Sequence, residues 1–390
     1  MPDVVIVGAG VFGLTAACEL SARGWRVDVL DPGRVPNHLA ASTDISKVIR
    51  MDYGADDFYT ALADAALAGW DAWNARWSPP PYHQVGFLLL ARGLMRPGGF
   101  EHDSMVALGR RGHAVERLRE PDAAGRFAGW PRAKYPDGYY NPRAGWAESG
   151  SVVSRLAAEA EATGVRLRQG AAFSGLVEAG GHVTGVRTRS GDELHADAVV
   201  VAAGAWTPHL LPDLRDVMWT TGQPVVHFDA GPSPDWRPPR FPVWAADIAH
   251  TGWYGFPALA DGTLKIGHHG AGRHVHPDDD RLVLASELEE FRAFLRENLP
   301  ALEGAPVKHT RLCLYCDTFD GDFWIDHDPS RPGLVVAAGD SGHAFKFAPV
   351  LGRIIADVVE RLPNEWAQRF RWRARGREAS EAARAASAGL

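Results

Sequence analysis

The chain has 390 residues, of which 46% are hydrophobic and 23% charged, and its formal net charge is −7. This length favours two domains or one interleaved pair, and the negative charge argues against nucleic acid as a partner. No apolar run is long enough to span a bilayer, and no basic stretch precedes the first apolar run, so no membrane association is expected. Three cysteines are too few for a disulfide framework, which predicts a cytoplasmic location.

The first 31 residues have a β-turn-α-β pattern. Val4–Val7 is typical of a buried strand, the pattern Gly8-x-Gly10-x-x-Gly13 follows at once, and a second strand ends at Asp31. In a dinucleotide site the three glycines permit a tight turn, backbone approach to a pyrophosphate and close helix packing, and the acid accepts from a ribose hydroxyl. The pattern therefore predicts a dinucleotide site, but it does not distinguish FAD from NAD.

Further elements follow in chain order. Helices are predicted over 58–77, 150–163 and 279–298, with short strands between 173 and 195 and a buried strand before Gly204. Segment 215–275 suggests an antiparallel sheet. Residues 334–339 repeat the strand-then-glycine pattern, and Pro349 is placed to open a helix. A simple NAD domain does not need this second element, whereas the element suits a cofactor such as FAD that runs through the protein.

These elements predict an α/β protein of two interleaved domains. One is a Rossmann-like, doubly wound FAD-binding domain built from residues 1–82, 143–214 and 312–390. The other is a substrate domain with an antiparallel sheet, built from 83–142 and 215–311. The arginine-rich run 369–377 is expected to be a solvated helix end.

Lysine is rare in this chain. Of its 41 basic residues only five are lysine, at positions 47, 134, 265, 308 and 346. A compact ammonium has a pKa that shifts readily, which a guanidinium does not offer. The persisting lysines are therefore candidates for functional positions.

Several separated motifs resemble monomeric sarcosine oxidase and the fructosyl-amino-acid oxidases (amadoriases) of the D-amino-acid-oxidase superfamily. They cover nearly the whole chain and comprise Ser42 to Arg50, Gly138 to Asn141, Val201 to Trp206, Tyr254 to Pro257, Leu264 to His269, Arg311 to Tyr315 and Gly339 to Lys346. Ala55 stands where sarcosine oxidase has an acidic residue. The run Asp44 to Lys47 and the tail Phe370 to Arg373 look more like amadoriases.

The resemblance implies roles for individual residues. Lys265 matches the lysine beside the flavin that activates oxygen, and Cys313 matches the cysteine that carries FAD covalently. Arg50 and Lys346 match the pair that binds the substrate carboxylate. Lys47 matches a basic residue near the flavin, and the catalytic candidates are Lys265, Lys47, His269 and Tyr254. Tyr315 joins the substrate-binding set, and the other cofactor-binding candidates are Gly8, Gly10, Val11, Gly13, Asp31, Ser42, Thr43, Gly204, Trp206, Gly339, Gly342, His343 and Lys346.

The expected function is an FAD-dependent oxidase of an N-substituted amino acid of sarcosine, fructosyl-amino-acid or saccharopine type. A hydride passes from the carbon beside the secondary amine to the flavin, an imine forms, and O2 becomes hydrogen peroxide. Three alternatives stay open: a flavin-dependent dehydrogenase that passes electrons to a partner, an NAD-dependent opine-type reductase, and a flavin-binding protein without turnover. The protein is expected to be a monomer that binds no metal.

Structural interpretations of the same residues also stay open. Cys313-x-x-Cys316 is a possible redox pair or half zinc site, although its strand-like alternation argues against the first and the absence of nearby ligands in the sequence against the second. Cys313 is otherwise an inert buried thiol. The other candidates have structural alternatives as well. Lys265 is then a surface lysine at a strand edge, Arg50 belongs to a surface ion pair, and His269 is a polar core residue.

Overall fold

The computed structural model describes residues 1–119, 126–127, 129–131, 133–376 and 378. Its strands are β1 (Asp3–Val7), β2 (Arg26–Asp31), β3 (Lys47–Ile49), β4 (Tyr82–His83), β5 (Phe87–Ala91), β6 (Glu116–Arg117), β7 (Asp137–Asn141), β8 (Gly145–Ala147), β9 (Arg166–Gln169), β10 (Phe173–Ala179), β11 (His182–Thr188), β12 (Glu193–His195), β13 (Ala198–Val201), β14 (Met218–Asp229), β15 (Val243–Ala246), β16 (Trp253–Gly255), β17 (Thr263–His268), β18 (Arg273–His274), β19 (Val307–Thr318), β20 (Trp324–His327) and β21 (Leu334–Ala338).

The α-helices are α1 (Val11–Ala22), α2 (Asp57–Arg76), α3 (Phe100–Arg110), α4 (Ser149–Ala162), α5 (Thr207–Leu210), α6 (Ile248–Thr251), α7 (Ala285–Asn298), α8 (Ala348–Val359) and α9 (Ala367–Phe370). Single 3-10 turns cover Gly204–Trp206, Pro212–Leu214, Pro234–Trp236, Pro300–Leu302 and Phe345–Phe347. None of the helices in the described part of the chain is both long and apolar enough to cross a bilayer.

A six-stranded sheet has the order β20-β21-β13-β1-β2-β9, and all its pairs except β20–β21 are parallel. Both of its faces are covered. Val4 and Ile6 pack in one core with residues of α1, α2 and α8, while Val5 and Val7 pack on the other face against β10 and β11. Because parallel strands end at the same edge of a sheet, the glycine turn after β1 and the end of β2 lie side by side.

A larger sheet has the order β18-β14-β17-β16-β15-β5-β7-β6, and β19 pairs with β14. Its pairs are antiparallel except β5–β15, which is parallel. The β14 and β19 strands are twelve residues each and bring Cys313 opposite Gln223. The predicted α/β class is confirmed, with one mainly parallel and one mainly antiparallel sheet.

The predicted helix over 279–298 begins later than expected, at Ala285. The Glu287 carboxylate accepts a hydrogen bond of 2.7 Å from the Leu284 amide, which fixes the start of α7. The boundary predicted at 311/312 falls inside β19, because this strand crosses from one predicted range to the other. The domain division itself stays a prediction, and its residues 120–125, 128, 132, 377 and 379–390 lie outside the described ones.

The expectation that run 369–377 is a solvated helix end is wrong for two of its arginines. The α9 helix ends at Phe370, and Arg369 and Arg373 form ion pairs with Asp322 at 2.9 Å and Asp320 at 2.6 Å. These carboxylates are about fifty positions away in sequence, so a local pattern does not reveal them. Arg377 lies outside the described residues.

Gly352 lies on α8, where this helix packs against α1. A Cβ at this position would lie 2.3 Å from the Thr15 carbonyl oxygen. We expect Gly352→Ala to lower the free energy of unfolding by about 1–3 kcal/mol, because the added methyl forces the helices apart. The control is Gly109→Ala in α3, where a Cβ meets nothing within 4 Å. Denaturant unfolding measures both, and equal losses of stability in the two variants would contradict the close packing.

Candidate active site

A cavity of about 400 Å³ opens at the carboxyl edge of the six-stranded sheet. Gly8 has a φ of +107°, and a Cβ there would lie 2.5 Å from the Ala202 carbonyl oxygen. A Cβ at Gly13 would lie 1.9 Å from the Gly8 carbonyl oxygen, whereas the nearest atom at Gly10 is Ser42 Oγ at 3.3 Å. Gly8 and Gly13 therefore pack closely against neighbouring backbone. The backbone at Gly10 is open toward the cavity, which allows a pyrophosphate to approach it.

Asp31 ends β2 at the same edge and is 5% exposed. Its Oδ1 accepts from the Gly33 amide and Asn37 Nδ2, both at 2.9 Å, and its Oδ2 accepts from the Ala9 amide at 3.1 Å. A carboxylate has about four acceptor positions, so capacity remains for a ribose hydroxyl. The residues at this edge thus fit the ADP part of FAD.

The other predicted cofactor residues fall in different places. Val11, Ser42, Gly204 and Trp206 border the cavity, and the Val11 amide donates to Ser42 Oγ at 3.3 Å. Thr43 and Gly339 are not among the described residues that line this cavity or the second cavity discussed below. His343 borders the second cavity instead, where its ring contacts Tyr53 and Gly321.

A second cavity of about 860 Å³ lies next to the first. The two share the lining residues Lys47, Tyr315, Gly342 and Phe345. Gly342 has a φ of +75°, and a Cβ on it would lie 2.3 Å from the Tyr315 ring. The first cavity therefore runs from the glycine turn to a wall that it shares with a larger, aromatic-lined space.

A buried ion pair stands beside this shared wall. Lys265, on β17 and 1% exposed, donates to Asp44 Oδ2 and to the Ser46 carbonyl oxygen, each at 2.6 Å. Its ammonium lies 4.7 Å from the centre of the Phe256 ring. Lys265 borders the second cavity, so it is not the surface lysine of the structural alternative.

Burial lowers the pKa of Lys265 to about 8, with Lys47 adding to the effect and Asp44 opposing it. Burial also favours the neutral form of Asp44, but the ammonium groups of Lys265 and Lys47 and the nearby His227 outweigh it and hold that pKa well below its usual range. The pair is therefore ionised at neutral pH. His227 Nε2 lies 3.7 Å from Asp44 Oδ1, beyond hydrogen-bond distance.

Lys47 links this pair to Cys313. Its Nζ lies 3.8 Å from Asp44 Oδ2 and donates to Cys313 Sγ at 3.6 Å. Cys313 is 2% exposed and borders the first cavity. The sulfur therefore lies beside a cation and next to the proposed path of the dinucleotide.

The two cysteines of the Cys313-x-x-Cys316 motif have different surroundings. Cys313 packs with Val225 and Tyr315, whereas Cys316 lies in the core of the other face, with its sulfur 3.9 Å from Met218 Sδ. Both are free thiols, and burial raises the pKa of Cys316 well above its usual range. No group of three or more His, Cys, Asp or Glu among the described residues is arranged to hold a metal.

Two cations from opposite ends of the chain border the second cavity. Arg50 has a buried Nη1 without a hydrogen-bond partner among the described residues, and its guanidinium lies 5.0 Å from the Tyr53 ring centre. Lys346 donates to Tyr53 Oη at 2.9 Å and to the His343 carbonyl oxygen at 2.6 Å. A buried guanidinium nitrogen with unused donors is a suitable contact for a carboxylate.

The three remaining candidates border the same cavity. The rings of His269 and Tyr315 are 5.7 Å apart. Tyr254 lies against Gly267, where a Cβ would come within 2.5 Å of its ring, and burial raises the pKa of its hydroxyl. The structure thus brings together every predicted catalytic and substrate-binding side chain around one space.

Three contributors to the site had no role assigned from the sequence. Asp44 is the counterion of Lys265, and Tyr53 accepts from Lys346. Asp340 borders the first cavity, accepts from the Gly342 and Cys316 amides, and has its pKa raised to about 6 by burial. Asp44 and Asp340 lie inside the quoted motifs and Tyr53 shortly after one of them, but only their spatial partners reveal what they do.

Comparisons with known proteins agree with this geometry. The family model described as FAD dependent oxidoreductase matches residues 3–358. N-methyl-L-tryptophan oxidase of Salmonella arizonae is 31% identical over 93% of this chain and 96% of its own length. Monomeric sarcosine oxidase of a Bacillus species is 27% identical, over 92% of each chain.

Solved structures show the same fold. Amadoriase I of Aspergillus fumigatus, a fructosyl amine:oxygen oxidoreductase, has a TM-score of 0.81 and 25% identity and covers 95% of this chain and 89% of its own. The fructosamine oxidase Amadoriase II of that fungus, in complex with FSA, has a TM-score of 0.80 and 27% identity with the same coverage. The resemblance inferred from the motifs is confirmed, and this chain belongs to the FAD-dependent oxidoreductase family.

Proposed function

We propose that this protein is an FAD-dependent oxidase of N-substituted amino acids. The observation that carries the proposal is the wall shared by the two cavities, with the buried Lys265 ammonium on the side of the larger one. Bound FAD would supply the two-electron acceptor that oxygen regenerates. The named activities of the relatives, N-methyl-L-tryptophan oxidase and monomeric sarcosine oxidase, support the oxidation of a secondary amine.

Arg50 and Lys346 are the proposed anchors of the substrate carboxylate. Two cations that converge on one carboxylate orient it through charge-assisted hydrogen bonds. They also lower the proton affinity of a nearby amine, which favours the neutral amine that reacts. The amine then loses a hydride and a proton to become an imine, and water hydrolyses the imine.

The size and walls of the second cavity favour a bulky substrate. A volume of about 860 Å³ far exceeds the needs of an N-methylated glycine. Its walls include Phe87, Phe100, Trp219, Tyr254 and Phe319. A large apolar side chain or N-substituent would bury its surface there, and this burial is worth about 1.5–3 kcal/mol for one aromatic group.

Lys265 is the proposed site of oxygen activation, with Asp44 as the residue that keeps it charged. Reduction of oxygen builds negative charge beside the cofactor, and a fixed ammonium stabilises that charge without reorganisation. This cation favours an oxidase over the alternative dehydrogenase. Lys47, His269 and Tyr254 are proposed to shape the same reaction space, and Cys313 is the proposed covalent attachment point of FAD.

The central test is anaerobic reduction of the flavin by a panel of amines. We expect N-methylated aromatic amino acids to bleach the flavin with a kcat/KM at least about tenfold above that of sarcosine, because they bury an aromatic group. Fructosyl and saccharopine-like amino acids complete the panel. Air should restore the colour with one peroxide per amine oxidised; a bleached protein that yields no peroxide would instead be a dehydrogenase.

The ion pair predicts a pH-dependent reoxidation. In the unmodified protein the rate should fall as pH rises through about 8, because Lys265 loses its proton. Asp44→Asn removes the counterion and so lowers the Lys265 pKa. The fall in rate with rising pH should therefore begin at a lower pH in this variant. Stopped-flow reoxidation measures this shift, Lys265→Met gives the limiting slow rate, and Lys134→Met is the surface control. An Asp44→Asn profile identical to that of the unmodified protein would refute this role.

Covalent attachment is tested on a denaturing gel. The unmodified protein should give a band with flavin fluorescence, and Cys313→Ala should lose that fluorescence because its sulfur is gone. Cys316→Ala is the matched control and should keep it, since Cys316 packs in the other core. Intact mass measures the same outcome. Flavin that leaves the unmodified protein on denaturation would exclude the covalent bond.

A further inference from the structure

The segment after α8 packs across a turn that borders the second cavity. We call residues 366–373 the C-terminal strap. Its Phe370 is 0% exposed and lies 4.9 Å, ring centre to ring centre, from Phe323. The Trp372 amide donates to Asp326 Oδ2 at 2.6 Å. The strap is therefore fixed to the body of the protein along its length.

Arg373 holds one end of the turn. Its Nε and Nη2 each donate to the Asp320 carboxylate at 2.6 Å, one to each oxygen. The same guanidinium donates to the carbonyl oxygens of Asp322 at 3.1 Å and Phe323 at 3.2 Å, and it stacks 4.4 Å from the Trp324 ring. A bidentate pair with further carbonyl bonds fixes direction as well as distance.

Arg369 holds the other end. Its Nε donates to both Asp322 oxygens at 2.9 Å, while its Nη2 lies 2.7 Å from Asp56 Oδ2. The guanidinium also lies 4.6 Å from the Tyr59 ring centre. Two arginines of the strap thus grip the first and third residues of the turn 320–322.

The middle residue of this turn begins a hydrogen-bonded chain that leads inward. The Gly321 carbonyl oxygen accepts from His343 Nε2 at 3.0 Å, so Nδ1 of the neutral ring is an acceptor. Tyr53 Oη donates to that Nδ1 at 3.0 Å and accepts from Lys346 Nζ at 2.9 Å. Every bond in the chain has one consistent direction, and the chain ends at the proposed carboxylate anchor.

We propose that the C-terminal strap positions Lys346 for the substrate carboxylate through the turn 320–322, His343 and Tyr53. Arg369 and Arg373 are then positioning residues for substrate binding, and the inference rests on the proposed function. Lys346 also donates to the His343 carbonyl oxygen at 2.6 Å. Because the bonds to Tyr53 and His343 help to orient the ammonium, a turn that shifts would turn Lys346 away from the substrate carboxylate.

Arg373 is the residue to test, because it does not border the cavity. The measurement is the Kd of the FAD-loaded protein for indole-3-acetate, an aryl carboxylate without an oxidisable amine, from the change in flavin absorbance. Arg373→Gln should raise this Kd roughly tenfold, the scale of one lost charge-assisted hydrogen bond. The Kd for indole-3-acetamide should stay unchanged, since the amide carries no charge for Lys346. Arg371→Gln changes an exposed arginine of the same strap and should alter neither value.

Two results would contradict the role proposed for the C-terminal strap. Unchanged carboxylate binding in Arg373→Gln, or equal weakening of acid and amide, would overturn the proposal, since the second result marks a merely structural role. Arg373→Lys keeps the charge but loses the bidentate bond to Asp320, and it must give a smaller loss of the same selective kind if Arg373→Gln does not fold. An unmodified protein that binds indole-3-acetate but is reduced by no amine would contradict the oxidase function while leaving the strap proposal standing.

Discussion

The ion pair between Asp44 and Lys265 joins the two large parts of this structure. Asp44 is tied by its backbone to Ser149 and Gly150 at the start of α4, while Lys265 lies in the large sheet. Two charges out of water are costly unless each is paired and hydrogen-bonded, and this pair meets that condition with the Ser46 carbonyl oxygen as a third partner. Such a contact is weak evidence for stability, but removal of either partner alone leaves a buried charge and is therefore destabilising.

This constraint explains why the two cavities meet where they do. The carboxyl edge of the six-stranded sheet holds the glycine turn and Asp31, and β19 carries Cys313 and Tyr315 from the large sheet to the same region. The segment from Ser42 to Arg50 runs between them. Three of its side chains have different contacts: Asp44 pairs with Lys265, Lys47 donates to Cys313, and Arg50 borders the larger cavity.

The sequence predicts local features of this molecule well and its long-range partners poorly. The glycine turn, β1, β2 and α2 follow from periodicity and backbone sterics within a short stretch, so their bounds agree with the structure within one or two residues. Asp44 and Lys265 are 221 positions apart, and Arg373 and Asp320 are 53 apart. An acidic or basic residue has no periodic signal that names its partner. The solvated-end expectation for Arg369 failed for this reason, and the later start of α7 depended on one capping contact.

Family resemblance filled part of this gap, because it supplied positions for the lysines and Cys313 without their contacts. It could not supply the reason each side chain is held as it is. Gly342 is an example, because the Tyr315 ring occupies the space that a Cβ at this position would fill. The wall shared by the two cavities thus includes an aromatic ring that rests on bare backbone. Because Tyr315 and Gly342 border both cavities, any side chain at position 342 would displace the ring and change the shapes of both spaces together.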